Sequence, residues 1–142
     1  MIDTELVTRK LTLVGEDLRA LEPLAGLSLE AFTTGLANQA LAERYLERAI
    51  GRMIDVNYHL ITELGGAPPR DYFESFVRLA DHTVLDGPFA RRIAACAGLR
   101  NRIAHEYDDI DPDKLHTALR DAIQDVPVYV QQVAQFVDSL ES

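Results

Sequence analysis

"LERAIGRMIDVNYHLITELGGAPP", residues 46–69, decides the fold class. Leu46, Ile50, Met53, Leu60, Ile61 and Leu64 recur at helical spacing and lie on one face. A half-buried strand would alternate apolar and polar residues instead, and no stretch of the chain does so convincingly. The stripe stops at GGAPP (65–69), where Gly past the end and Pro beyond it terminate a helix. A long amphipathic helix with a sharp stop is a bundle element, so the flanking sequence is read for more of them.

Working outward, this helical region starts between Ser28 and Gly35 and ends at Leu64. A first helix covers Asp3 to Glu22, with Asp3 as N-cap, and PLAGLS (23–28) is a turn. Asp71 and Glu74 form an Asp version of a capping box and start a third helix, Tyr72 to about His82. DGP (86–88) starts a fourth, with Pro88 near its first turn. DIDP (109–112) starts a fifth, with Asp111 as cap and Pro112 at the first helical position. Pro127 lies inside that last helix and removes one backbone bond, so a kink is expected near Ile123 to Val126. Short loops between long helices imply antiparallel neighbours. The expectation is an all-α, up-and-down bundle of four main helices plus a short extra helix, one domain over residues 1–142.

Composition fits that expectation. The chain has 142 residues, 47% of them hydrophobic, enough for one domain with a real core. The net charge of -9 argues against broad, non-specific binding to nucleic acid, but leaves room for a small basic site. Cys96 is alone, so no internal disulfide forms; that suits a reducing cytoplasm, and its place on an apolar stripe suits the core. MIDTELVTRK has no apolar centre of signal-peptide length. No apolar run approaches the roughly 18 residues a membrane span needs, so no membrane partner is expected.

On the fourth helix, at about 100° per residue, Phe89, Ile93, Cys96, Ile103 and Tyr107 share one stripe. Arg100 falls near its centre. A guanidinium does not lose its charge in a protein, so there it needs an anion, a polar cavity or an interface. The ordinary account is an Arg that snorkels or pairs with a core carboxylate or amide. Asn57 is likewise polar and central on the stripe of the second helical region; spacing leaves open whether the two face each other. Charges are also segregated. Gly87 to His105 holds four Arg (Arg91, Arg92, Arg100, Arg102) and no acid, whereas Glu106 to Asp113 holds five acids and no Lys or Arg. Helix dipoles account for this, and a local cationic patch able to hold a phosphate is the functional alternative.

His105 follows Arg100 by five residues, about 140° round an ideal helix, so spacing does not make them a pair. Either the helix loosens by His105, or the long Arg reaches round, or a second subunit completes the site. Asn101, four residues before His105, lies on its side and could orient the imidazole. A lone His at a helix end is otherwise a C-terminal cation.

Other chemistries are set aside. Asp109, Asp111 and Asp113 open like a calcium loop, but its sixth and twelfth positions are Lys114 and Arg120 rather than Gly and Glu. His59, His82, His105 and His116 have no metal-ligand spacing. Tyr45, Tyr58, Tyr72 and Tyr129 read as packing residues rather than platforms for RNA bases.

RNRIAHEY, Arg100 to Tyr107, resembles the R-x4-H-x-Y signature of the HepT-like branch of HEPN domains. The likeness extends over about residues 40 to 121, including the PPRDYFESF block (68–76) and the DIDP segment after the motif. The resemblance implies an all-α homodimer whose motif helices meet across the two-fold. It implies a metal-independent ribonuclease toxin with transfer RNA as substrate class. The implied partner is a small nucleotidyltransferase antitoxin that transfers AMP to the motif Tyr. Carried onto this chain, Arg100 and His105 are the catalytic pair, Asn101 supports them and Tyr107 is the residue modified. No cofactor, metal or DNA partner is implied, and the place of action is the cytoplasm. The chemistry is coherent: an imidazole can move a proton near neutral pH, and a guanidinium can stabilise charge on a phosphorane as the RNA 2′-OH attacks. Two alternatives stay open. One is a catalytically degenerate HEPN dimer that binds nucleotide or RNA, or scaffolds a nucleotidyltransferase. The other is a structural helical dimer in which the stripe Arg serves partner choice.

Overall fold

Asp3 opens the first helix as its chemistry suggests: the carboxylate accepts the Leu6 N–H at 3.0 Å. The computed structural model describes residues 1–106 and 108–141, and its regular elements are all helical. Helix α1 runs Thr4–Ala25, α2 Leu29–Thr34, α3 Asn38–Glu63, α4 Tyr72–Asp81, α5 Gly87–Ile93, α6 Ala95–His105 and α7 Pro112–Glu141.

The all-α bundle is as expected, but three boundaries differ. The first helix does not stop at Glu22; it continues through Pro23 to Ala25. Pro forfeits only one backbone bond there, and the turn shrinks to residues 26–28. The second helical region is two elements. Ser28 caps the short α2, its hydroxyl accepting from the Ala31 N–H at 3.1 Å, and Gly35 ends it. The fourth is also two, interrupted at Ala94. Helix α7 passes through Pro127 without interruption.

The ends follow the chemistry of their residues. Gly65 has φ +86°, and the Gly65 and Gly66 N–H groups donate to Thr62 O and Ile61 O, a Schellman stop for α3. The same bonding closes α4, with Thr83 and Val84 donating to Ala80 O and Leu79 O; here the left-handed residue is Thr83, φ 61°. Asp71 caps α4 by accepting the Glu74 N–H at 2.8 Å. Asp111 accepts the Asp113 N–H at 2.9 Å and so opens α7.

Helix α3 is the hub. It packs on α1, α4 and α6, while α7 closes the other side against α1 and α2. Leu46, Ile50, Met53, Leu60 and Ile61 are all buried, each contributing about 1.5–3 kcal/mol through removal from water. Leu64, the last residue of the stripe, is only half-buried against the core. Cys96 is buried as expected. Asn57, fully buried, does not meet Arg100. Its Nδ2 donates to Ser75 Oγ at 3.1 Å and its Oδ1 accepts the Tyr129 hydroxyl at 2.6 Å. A buried amide needs donors and acceptors in matched numbers, and the polar residues of α4 and α7 supply them where an Arg could only donate.

Candidate functional site at the middle and end of α6

Arg100 sits in mid-α6, half-buried, with its guanidinium carbon 5.4 Å from the centroid of the Tyr72 ring. That is within the range where an aromatic face attracts a cation. The two residues line a cleft of about 380 Å³ together with Lys10, Arg48, Arg52 and Asp55. Most of the other charges there are engaged. Lys10 Nζ is 3.0 Å from Asp55 Oδ2. Arg52 and Arg48 reach Asp17 at 2.7 and 3.3 Å. Asp17 is buried, and burial holds its carboxyl above the ordinary carboxylate range against the pull of the two guanidiniums. Among the described residues Arg100 has no ion pair. It is a cation held by a ring, in a cleft whose lining is otherwise largely compensated.

His105 is the last residue of α6 and is exposed; it does not line that cleft. The helix stays α-helical up to His105, so one of the three routes to a pair, an early loosening of the helix, is closed. Within one chain the roughly 140° offset of a five-residue step therefore persists. Asn101 is exposed on α6, and among the described residues no hydrogen bond joins it to His105. Tyr107 lies outside the described residues.

The four arginines of α5 and α6 do not make one cationic patch. Arg92 and Arg102 line a separate groove of about 870 Å³ between α6 and α7, where Arg92 pairs with Asp125 at 3.3 Å. Two residues beyond Arg100, Arg102 points to the opposite side of the helix, as about 200° of rotation requires. Cys96 borders this groove but is no nucleophile: burial, with Asp125 and Asp121 nearby, pushes its thiol up to about 12. Among the described residues no group of His, Cys, Asp or Glu is placed to hold a metal ion.

Sequence reasoning missed the partner of Arg100, because Tyr72 reads as a packing residue. It also missed the Asp17 cluster, although a signal was present. Asp17 interrupts the apolar face of α1 formed by Val14, Leu18 and Leu21, and an acid there demands a buried cation.

Comparison with known proteins gives the family of the chain. Residues 14–133 match the family described as ribonuclease HepT-like. The chain belongs to that family. A relative from Aphanizomenon flos-aquae, named tRNA nuclease HepT, is 34% identical over 140 residues, spanning 99% of this chain and 95% of the relative. A protein of Archaeoglobus fulgidus named as a putative RNase is 24% identical over 93 residues, 66% of this chain and 70% of its own. Among solved structures, the tri-AMPylated HEPN toxin of Shewanella oneidensis, in complex with its MNT antitoxin, superposes with a TM-score of 0.82. It is 18% identical, with 95% of this chain and 99% of that one covered. At that identity the likeness establishes a shared fold, and this is the HepT-like helical fold.

Proposed function

We propose that this HepT-like protein is a metal-independent ribonuclease toxin acting on transfer RNA, with Arg100 and His105 as its catalytic pair and Asn101 in support. The observation that carries the reading is Arg100: a cation with no anionic partner among the described residues, oriented in a cleft on the motif helix of a family described as ribonucleases. The relative that covers nearly the whole chain is named a tRNA nuclease, which supports that substrate class.

The active form is a homodimer. One α6 presents Arg100 in its cleft and His105 at an exposed end, on different sides, so one chain offers two half-sites. A two-fold that brings two α6 helices together doubles the motif and lets the Arg of one protomer work with the His of its partner. His105 takes the proton of the RNA 2′-OH as that oxygen bonds to phosphorus, and Arg100 stabilises the charge that gathers on the phosphorane oxygens; the P–O5′ bond then breaks, leaving a 2′,3′-cyclic phosphate and a 5′-oxygen that takes up a proton. A nucleotidyltransferase antitoxin holds the activity in check by transferring AMP from ATP to the Tyr107 hydroxyl, with release of pyrophosphate, as a bulky phosphate beside the motif would obstruct an RNA phosphate. An AMPylated toxin with its antitoxin among the structural neighbours supports this regulation.

The test is expression of the chain alone beside His105→Ala and Arg100→Ala. Growth arrest and tRNA cleavage are expected from the wild type. Each variant should lose about two orders of magnitude in cleavage rate or more, the scale of a lost general base or charge-stabilising donor. A wild type that neither arrests growth nor cuts RNA without antitoxin refutes the nuclease. It would favour the degenerate, scaffolding alternative.

A further inference from the structure

Among the described residues Arg100 has no carboxylate to hold it, yet it is held. Its guanidinium carbon lies 5.4 Å from the Tyr72 centroid. The Tyr72 ring is fixed in turn: Tyr58 meets it nearly edge-on, 6.2 Å between centroids and 84° between planes. Tyr72 is the first residue of α4, directly after the Asp71 cap, so its backbone has little freedom. That backbone is also tied to the core. Ser75 donates its hydroxyl proton to the Tyr72 carbonyl at 2.7 Å. Asn57 Nδ2 donates to Ser75 Oγ at 3.1 Å, and the Tyr129 hydroxyl donates to Asn57 Oδ1 at 2.6 Å. Ser75, Asn57 and Tyr129 are each completely buried. A polar relay thus crosses the bundle from α7 through α3 to α4 and ends at the backbone carbonyl of the residue whose ring carries Arg100.

We infer that Tyr72 is a positioning residue for Arg100, holding the guanidinium by its ring face in the α3–α4–α6 cleft while the Tyr129–Asn57–Ser75 relay holds Tyr72. This rests on the role proposed above for Arg100. The choice of an aromatic partner has a chemical reason. A carboxylate at this place would fix the Arg as firmly, but it would neutralise the charge and occupy the N–H donors that an RNA phosphate needs. A ring face orients the cation and leaves its donors in the plane free. The two acids that line the cleft, Glu47 and Asp55, make no ion pair with Arg100, and Asp55 is taken by Lys10. An Arg side chain carries about 2 kcal/mol of rotamer entropy, so a pre-set orientation removes a cost from the transition state.

The experiment compares wild type, Tyr72→Phe, Tyr72→Leu and Arg100→Ala as full-length proteins, by cleavage kinetics on tRNA and by NMR of selectively labelled arginine. In wild type and Tyr72→Phe the Arg100 δ-methylene protons should be displaced upfield by the ring current, and in Tyr72→Leu the displacement should vanish. Tyr72→Phe should cut within about twofold of wild type, because the ring face is kept. Tyr72→Leu should lose about three- to tenfold in kcat with KM for tRNA little changed, the worth of one cation–ring contact. Its dimer elution should match wild type and its thermal midpoint should fall by only a few degrees, since the edge-on contact with Tyr58 goes with the ring; if Leu does not fold, Tyr72→Met carries the same expectation. A Tyr72→Leu enzyme as fast as wild type, or undisplaced Arg100 protons in the wild type, overturns the inference. If Arg100→Ala cuts at the wild-type rate, the catalytic reading of Arg100 fails instead, and the ring-current result alone decides whether Tyr72 holds it.

Discussion

Replacing Tyr129 by Phe removes one oxygen atom from the centre of the bundle. The ring can stay, packed against Phe76 at 5.9 Å between centroids. What is lost is the hydroxyl that donates to Asn57 Oδ1 at 2.6 Å, with Met53 O as a second acceptor at 3.1 Å. Burial pushes this phenol far above its ordinary range, so it keeps its proton and acts as donor. In the native protein no buried side-chain nitrogen or oxygen among the described residues lacks a partner. The variant leaves Asn57 Oδ1 buried without this donor, in a residue with no exposure to water. An orphaned buried acceptor costs about 1–3 kcal/mol, more than the roughly 1 kcal/mol that an average hydrogen bond contributes net. Tyr129→Phe should therefore lower the stability by about 1–3 kcal/mol. In urea unfolding the midpoint should fall at unchanged slope, because the surface exposed on unfolding is the same. Asn57→Leu in the Tyr129→Phe background removes the stranded acceptor, so the double variant should be more stable than additivity of the single losses gives. A Tyr129→Phe midpoint within error of wild type would refute this account of the buried relay, as would strict additivity in the cycle.

Three further outcomes are expected. Thr83→Gly should raise stability by about 1 kcal/mol in the same urea assay, because a β-branched residue at φ 61° is strained where Gly is not; no gain would mean that the hydrogen bond from the Thr83 hydroxyl to His82 O, 2.6 Å, offsets the strain. Cys96, buried with its thiol at about 12, should resist iodoacetamide at pH 8 in the folded protein and react fully in urea; mass spectrometry showing rapid native labelling would contradict its burial. Tyr107→Phe should remain toxic but escape silencing when the nucleotidyltransferase is co-expressed; a variant silenced as well as wild type would remove Tyr107 from the proposed regulation.

The helices were legible because their signals are local. Asp3, Asp71 and Asp111 accept N–H groups two or three residues ahead, and Gly65 supplies a left-handed turn at its own position. The breaks were not: Ala94 interrupts the fourth helix with no Gly or Pro to mark it, and α2 separates from α3 around Gly35. Such breaks answer to how a helix must bend to keep its apolar residues on a shared core.

The site divides in the same way. The sequence alone determined that Arg100 is a charge on an apolar stripe, that His105 stands about 140° away from it, and that the RNRIAHEY motif is of the HepT-like type. Periodicity and residue chemistry suffice for each. Only the tertiary structure decided what Arg100 rests on. Its partner is 28 positions earlier in the chain (100 − 72), on another helix, and that helix is tied by Ser75 and Asn57 to a tyrosine on a third. Contacts between distant segments follow from how helices pack side chain into side chain, and no single segment carries that information.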